Sequence, residues 1–255
     1  MTVLCIETST SVCSAAICKE GKPLKQCICL EGSNHARLLP LYIEELLHFA
    51  KEQHLSIEAV ALSEGPGSYT GLRIGTSTAK GLCYGLNVPL IPVPTLQVLI
   101  EAAKETIAKA NVNANGLFLP LIDARRMEVY TALYDMDLHP LSEVKAVVVE
   151  NEESFSEAVL QRQRSYSDSG LTAERSYCKA VYYFGDGAAK CQALFTSPNW
   201  HYIPDIVPEA RYVGVLAEQI VHRQSSNRQS VDLAYYEPYY LKDFIAAQSH
   251  VKGLN

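Results

Sequence analysis

The chain has 255 residues, of which 48% are hydrophobic and 20% charged, enough apolar material for one or two packed cores and not the composition of a disordered polymer. Its formal net charge is −6, whereas a protein that grips nucleic acid unaided usually carries a basic face. No apolar run reaches the ~18–20 residues that span a bilayer, and the N-terminus lacks the pattern of a leader, so a cytoplasmic protein with no membrane contact is expected.

Eight cysteines stand at 5, 13, 18, 27, 29, 83, 178 and 191, several inside apolar stretches and none in a C-x-x-C pair. Buried free thiols in a reducing compartment are the expected reading.

Residues 3–7 form an apolar run that ends in Thr8-Ser9-Thr10-Ser11. Residues 13–18 and 24–30 are two further strand-like runs around the turn signal Glu20-Gly21-Lys22-Pro23, which together predict an antiparallel meander. Ser33-Asn34 then caps a helix reaching about His54. A strand over 59–63, the breaker Gly65-Pro66-Gly67-Ser68, a helix over 69–84, a strand over 90–93 and a helix over 96–110 follow.

The polar stretch 111–116 marks a boundary, giving an N-terminal lobe over 1–111 and a C-terminal lobe over 112–255. The second lobe opens with three more strands, over 117–123, 128–134 and 144–149, and then a helix over 152–160. Residues 161–179 read as a surface insertion. A strand over 181–184 and helices near 188–194 and 212–222 complete it. Two β-β-β-α openings are the pattern of a duplicated ribonuclease H-like, two-lobed α/β fold with mixed sheets, the architecture of actin-like ATPases.

The string Ser63-Glu64-Gly65-Pro66-Gly67-Ser68-Tyr69-Thr70-Gly71-Leu72-Arg73-Ile74-Gly75 is the most specific feature. Together with residues 4–10, 122–130 and 238–242, it resembles the TsaB family of bacterial tRNA threonylcarbamoyladenosine biosynthesis proteins. The resemblance implies a non-catalytic scaffold and activator. It would pair with a catalytic, related actin-like subunit of TsaD type that transfers threonylcarbamoyl to adenosine 37 of tRNA, and a P-loop ATPase of TsaE type would join them. The tRNA would be held through the complex rather than by this acidic chain.

The resemblance also places a site question. The catalytic relative carries a His-x-x-x-His metal pair where this chain has Thr95 and Leu99, and a leucine cannot bind a metal. No metal site and no catalytic residue are therefore expected. Glu7 stands where actin-like ATPases use an aspartate. With Thr8, Ser9, Thr10, Gly185 and Gly187 it would make at most a vestigial cleft with weak adenine nucleotide binding and no required cofactor. His35 and His48 are expected in solvent or against a partner. Asp123 and Glu128 read as hairpin salt links to Arg125 or Arg126. Tyr235, Tyr236, Tyr239 and Tyr240 have only Lys242 as a basic neighbour in sequence and read as tail packing, not as a base-stacking platform.

The first helix is apolar over about half its circumference, more than the ~100° stripe that one packing surface needs. The next contains Gly71, Gly75 and Gly81, each costing about 1 kcal/mol against alanine unless something approaches closely. Leu38, Leu39, Tyr42, Ile43, Leu46, Phe49, Gly71 and Gly75 are accordingly expected at a partner interface, shared between a homodimer of the free chain and the heterodimer. An actin-like small-molecule kinase and a metallopeptidase-like hydrolase are the competing readings. The first needs a working metal–nucleotide cleft, the second a histidine pair.

Overall fold

A computed structural model describes residues 1–32, 34–110, 116–155, 180–223 and 231–242. Strands β1 (Thr2–Glu7), β2 (Cys13–Lys19), β3 (Lys22–Cys29), β4 (Ala59–Gly65) and β5 (Leu90–Pro94) form one sheet in the order β3-β2-β1-β4-β5. The first three run antiparallel, and β4 and β5 join β1 in parallel. Strands β6 (Gly116–Asp123), β7 (Glu128–Thr131), β8 (Lys145–Val148), β9 (Ala180–Phe184) and β10 (Trp200–Tyr202) form a second sheet, ordered β10-β9-β6-β7-β8. Read from β8 inward, that is the same order with the same strand directions. The ribonuclease H-like duplication thus holds strand for strand, and Asp123 at the end of β6 is the topological counterpart of Glu7 at the end of β1.

Among the described residues four α-helices fill the layers: α1 (His35–Glu52), α2 (Tyr69–Leu86), α3 (Thr95–Lys109) and α4 (Ala210–Arg223). On α1 the 3.6-residue period sends His35, Leu39, Ile43, Leu46 and Ala50 onto the first sheet. Helix α2 starts at Ser68, whose hydroxyl accepts from the Gly71 N–H, and ends at Asn87 in the left-handed conformation that closes many helices. Both α1 and α2 lie on the outer face of the first sheet over Leu4, Ile6, Ala15, Val60 and Leu62.

Between the two sheets sits a second core. Leu96, Leu99, Ile100 and Ala103 of α3 and Val213, Leu216 and Ala217 of α4 pack there with Val3, Cys5, Phe118, Ile122 and Phe184. Helix α4 belongs to the second half of the chain but packs on the strands of the first sheet. Gly214 lets it come so close that an added Cβ would lie 2.3 Å from Cys18 Sγ. The boundary at 111/112 therefore divides the sheets but not the helices. A third cluster, with Phe155, Tyr183 and Phe195, covers the outer face of the second sheet.

Some expectations are corrected. Of the helix expected over 152–160, the described part, Glu152–Phe155, is a 3-10 turn and 156–160 lie outside the described residues; the helix expected near 188–194 is a 3-10 turn at Ala189–Cys191. Strand β10 is an addition to the expected elements. Strand β7 stops at Thr131, and Tyr134 makes only isolated bridges to Phe118 and Pro140. Of the cap expected at Ser33-Asn34, Ser33 lies outside the described residues and Asn34 stands at the N-cap with no side-chain cap bond. Residues 111–115 of the joint and the insertion at 161–179 also lie outside, while Gly116 opens β6. Cys5, Cys13, Cys18, Cys27, Cys83 and Cys191 are buried free thiols, while Cys29 is half-buried.

Candidate functional site

The glycine motif and the β1–β2 hairpin are built into each other. The Thr8 hydroxyl donates to the Gly71 carbonyl at 2.9 Å, and the Ser68 N–H donates to the Ser9 carbonyl at 2.7 Å. A Cβ on Gly71 would lie 2.0 Å from the Thr8 carbonyl oxygen, and one on Gly75 would lie 2.3 Å from the Thr8 hydroxyl. These two glycines exist because the hairpin backbone crosses the first turns of α2 in direct contact. The small residues there serve the chain's own hairpin, so the expectation that Gly71 and Gly75 meet a partner is corrected.

Glu7 is fully buried at the bottom of this arrangement. Its Oε1 accepts from Ser9 N at 2.6 Å and Ser9 Oγ at 2.5 Å, while its Oε2 has no partner. Burial raises its pKa, Ser63 and Ser9 pull it back, and the charge of Asp186 raises it further. Asp186 meets solvent, yet the ends of the two sheets crowd it, and that desolvation raises its pKa ahead of the neighbouring Asp123 charge. The Asp123 N–H donates to Asp186 Oδ1 at 3.0 Å. Glu7, Asp186 and Asp123 thus mark an acidic line where the two lobes meet.

The cofactor residues expected from the sequence are brought together here but turned inward. Thr8, Ser9 and Thr10 are buried. The Thr8 hydroxyl is spent on Gly71, the Ser9 hydroxyl on Glu7, and Thr10 Oγ1 accepts from the Val12 N–H. Gly185, at φ +106°, presses on Leu121, where a Cβ would lie 2.4 Å from the carbonyl oxygen. The Gly187 N–H donates to that same carbonyl at 2.9 Å. The Thr8 and Ser9 hydroxyls and the Gly187 N–H are thus committed within the chain, and Thr10 Oγ1 is used as an acceptor.

The positions of the relative's histidine pair lie in the core between the lobes. Thr95 and Leu99 are fully buried. Thr95 Oγ1 is 2.7 Å from Ser63 Oγ and accepts from the Gly65 N–H at 3.0 Å, which anchors the glycine turn. His35 is buried with Nε2 3.1 Å from the Val12 carbonyl, correcting the expectation that it is solvated. His48 is exposed beside Glu52. Among the described residues, Asp135, Asp137 and His139 could offer ligand atoms to a metal, but Asp135 accepts from the N–H groups of both neighbours, which makes the group a turn cap.

The α1 expectation divides in two. Leu39, Ile43 and Leu46 are buried against the chain's own sheet and have no area left for a partner. Leu38, Tyr42 and Phe49 are half-buried at the rim of that cluster. The exposed large apolar residues on these two helices are Leu41 on α1, at 56%, and Tyr84 and Leu86 on α2, at 87% and 39%. Beside Tyr84, a Cβ added at Gly81 or Gly85 would meet nothing within 4 Å, and both glycines border solvent. The half-circumference of apolar residues on α1 is thus divided between Leu39, Ile43 and Leu46, which the chain's own sheet covers, and the rim of Leu38, Tyr42 and Phe49.

The tail closes over the glycine motif. Lys80 Nζ on α2 donates to the carbonyls of Ala234 and Tyr236 at 3.1 and 3.2 Å. The Tyr239 N–H donates to the Glu64 carbonyl at 2.8 Å. Gly65, at φ +120°, has room for no side chain, because the Tyr239 carbonyl oxygen lies 2.5 Å from its Cβ position. Lys242 then pairs with Glu128 on β7. Asp123 pairs with Lys190, so neither carboxylate makes the arginine link expected of it.

The family model described as TsaD, tRNA N6-adenosine threonylcarbamoyltransferase, matches residues 30–249. A protein of Bacillus subtilis (strain 168) named tRNA threonylcarbamoyladenosine biosynthesis protein TsaB is 35% identical over 135 residues, which are 52% of this chain and 55% of that protein. The Haemophilus influenzae protein of the same name is 35% identical over 130 residues, 51% of this chain and 52% of its own. The chain thus spans about half the length of the curated relatives it matches. The solved structure of YeaZ from Pseudomonas aeruginosa superposes with a TM-score of 0.67 at 21% identity, covering 94% of this chain and 99% of that one, a likeness of fold. By a family match running over most of its length, the chain belongs to the TsaD-type threonylcarbamoyltransferase family, and within it resembles the members named TsaB.

Proposed function

We propose that the chain is the non-catalytic scaffold of tRNA threonylcarbamoyladenosine biosynthesis, heterodimerising with a catalytic TsaD-type subunit. That subunit transfers the threonylcarbamoyl group to adenosine 37, with a TsaE-type P-loop ATPase as third member and the cytoplasm as the site of action. The names of the relatives support the pathway. The observation that carries the scaffold role is the burial of Thr95. Its hydroxyl anchors the glycine turn through Ser63 and Gly65, so a metal ligand at that position would displace a contact the fold uses. Among the described residues no helix is long and apolar enough to cross a membrane.

The contact surface in this reading is the exposed side of α1 and α2, from Leu38, Leu41, Tyr42 and Phe49 to Gly81, Tyr84 and Gly85. Glycines with open space above them let a second helix approach closely. The free chain would cover the same surface in a homodimer, and the two assemblies would exclude each other.

The test is expression in a strain lacking its own scaffold subunit, with threonylcarbamoyladenosine in total tRNA measured by mass spectrometry. Restoration that requires the TsaD-type subunit, together with co-purification of the two, is expected. Failure to restore the modification removes the proposed role. Transfer by the lone chain removes its non-catalytic character. Steady ATP turnover or stoichiometric zinc in the lone chain would point instead to the kinase or the peptidase.

A further inference from the structure

Arg73, Arg125 and Arg126 are exposed and form no ion pair among the described residues. The nearby carboxylates are already engaged, Glu128 by Lys242 and Asp123 by Lys190. The chain as a whole has a net charge of −6, and these three guanidiniums are free of ion pairs among the described residues.

The tail joins them into a band. The Arg73 guanidinium lies 5.5 Å from the Tyr69 ring centre, and its Nη1 donates to the Tyr69 hydroxyl at 3.4 Å. The Tyr69 ring packs against Tyr240 with centroids 5.0 Å apart. Lys242, two residues on, sits 5.9 Å over the Tyr130 ring. Tyr130 stands in β7, next to the hairpin whose tip is Arg125-Arg126, within reach of the Arg125 charge. Cations and tyrosines from both lobes thus alternate along one continuous surface. In the sequence these arginines are far from the tail tyrosines, which is why the tyrosines read there as packing alone. The acids facing this band are Glu237, beside Tyr240, and the exposed Asp186, which accepts from the Asp123 N–H, in addition to Glu128 and Asp123, engaged by lysines.

A separate observation marks the hairpin tip. Arg125 and Arg126 are both left-handed, at φ +70° and +51°. The loop is the three residues 125–127 between the paired Ala124 and Glu128, and left-handed loop positions normally go to glycine or asparagine, because a side chain is strained there. Each such residue carries a cost in backbone strain, so glycine is the less strained choice at either position.

We infer that this band is a contact surface for RNA, with the three guanidiniums on phosphates and the exposed flank of Tyr239 and Tyr240 against a base or ribose. The planar guanidinium fork matches phosphate oxygens, and aromatic faces accept any base. An acidic protein would need the charges but not the alternating rings. The inference rests on the proposed role in tRNA modification and gives this chain a direct share in holding the tRNA.

The experiment is fluorescence anisotropy of the full chain with a labelled anticodon stem-loop RNA. Three phosphate contacts to a single-stranded loop predict an affinity loss of about 20-fold from about 50 to about 200 mM salt. The triple variant Arg73→Ala, Arg125→Ala, Arg126→Ala should lose at least about tenfold in affinity and most of the salt dependence. The control triple Lys19→Ala, Lys22→Ala, Lys51→Ala, with the same charge change elsewhere, should not. Arg126→Gly separates binding from folding, because removing the strained side chain should raise the melting temperature while lowering RNA affinity. The inference is overturned if the arginine triple binds like the parent, if the control triple loses as much, or if polyglutamate displaces the RNA charge for charge, which would make the band a dock for an acidic protein. Restored tRNA modification with an arginine triple that still binds RNA removes the band alone. Unrestored modification by the parent chain removes the proposed role, whatever the anisotropy shows.

Discussion

The carbonyl oxygen of Thr8 lies 2.0 Å from the point where a Cβ on Gly71 would stand, while the Thr8 hydroxyl donates to the Gly71 carbonyl. The hairpin after β1 and the first turns of α2 are therefore in backbone contact, and no rotamer change can make room for a side chain.

Gly71→Ala should destabilise the chain by roughly 1–3 kcal/mol, toward the upper end because backbone rather than side chain must move. Gly81→Ala is its opposite, since an added Cβ there meets nothing within 4 Å. It should stabilise the free chain by up to about 1 kcal/mol through helix propensity. Thermal unfolding of the two variants checks both signs. In the proposed heterodimer, Gly81→Ala should also weaken association, so a higher melting temperature with a weaker complex is the joint expectation.

Glu105 links α3 to α4. It accepts from Arg211 Nη1 and Tyr212 Oη, both at 2.8 Å, and pairs with Lys109. The Lys109 hydrogen bond first, and then Tyr212 and Arg211 against the opposing effect of burial, bring its pKa down to about 2 from 4.5. A carboxylate with a depressed pKa contributes stability that is full above the unfolded value and is lost as pH falls. Wild type should lose this contribution between about pH 4.5 and about pH 2, and Glu105→Gln should not show that loss. At neutral pH the variant should cost about 1 kcal/mol, reduced by solvent exposure of the partners. Urea unfolding across that pH range reads the difference.

Glu7 has the reverse sign. Burial raises its pKa above 4.5, so the stability tied to its protonated form is complete below that value and is lost as pH rises through the folded pKa. Glu7→Gln keeps an oxygen for the Ser9 N–H and removes the buried charge. Relative to wild type the variant should become more stable as pH rises above about 4.5, measured by the same unfolding series. A variant that falls behind wild type with rising pH would mean the ionised carboxylate is favoured where it sits.

Much of the fold was legible because period and turn chemistry are local. The run into Glu7, the meander after it, the break at Gly65-Pro66-Gly67-Ser68 and the strands on either side of Arg125 all follow from short stretches. The same locality explains what was missed. Strand β10 is three residues, Trp200–Tyr202, too short to show alternation, and it forms by pairing with β9. The small residues of α2 signalled a close approach but not by what, and at Gly71 and Gly75 the answer lies more than sixty residues away in the β1–β2 hairpin. A helical stripe on α1 shows which residues share a face and not whether sheet or partner covers it. Asp186 drew attention only through its flanking glycines, and the band from Arg73 to Arg126 exists only once the tail has crossed both lobes.

The division of α1 gives the sharpest test of the interface. Leu39 is completely buried against the first sheet, while Leu41, two residues on and rotated to the far side of the helix, is 56% exposed. Burying a leucine is worth about 1.5–3 kcal/mol, and burying an unpaired carboxylate in its place costs more again. Leu39→Asp should therefore unfold the chain or lower its melting temperature steeply, and its effect on assembly would say nothing about an interface. Leu41→Asp and Tyr84→Asp change residues that make little contact with their own fold, so both should melt like the parent. If the surface of α1 and α2 is shared by the homodimer and the TsaD-type heterodimer, each of these two variants should weaken both assemblies at least about tenfold, because a central apolar contact is worth about 1.4 kcal/mol or more. Light scattering of the free chain and of the mixture gives both numbers from one sample. Folded Leu41→Asp and Tyr84→Asp proteins that still form both complexes would place the interface on another face, and loss of one assembly without the other would show that the two do not compete for the same surface.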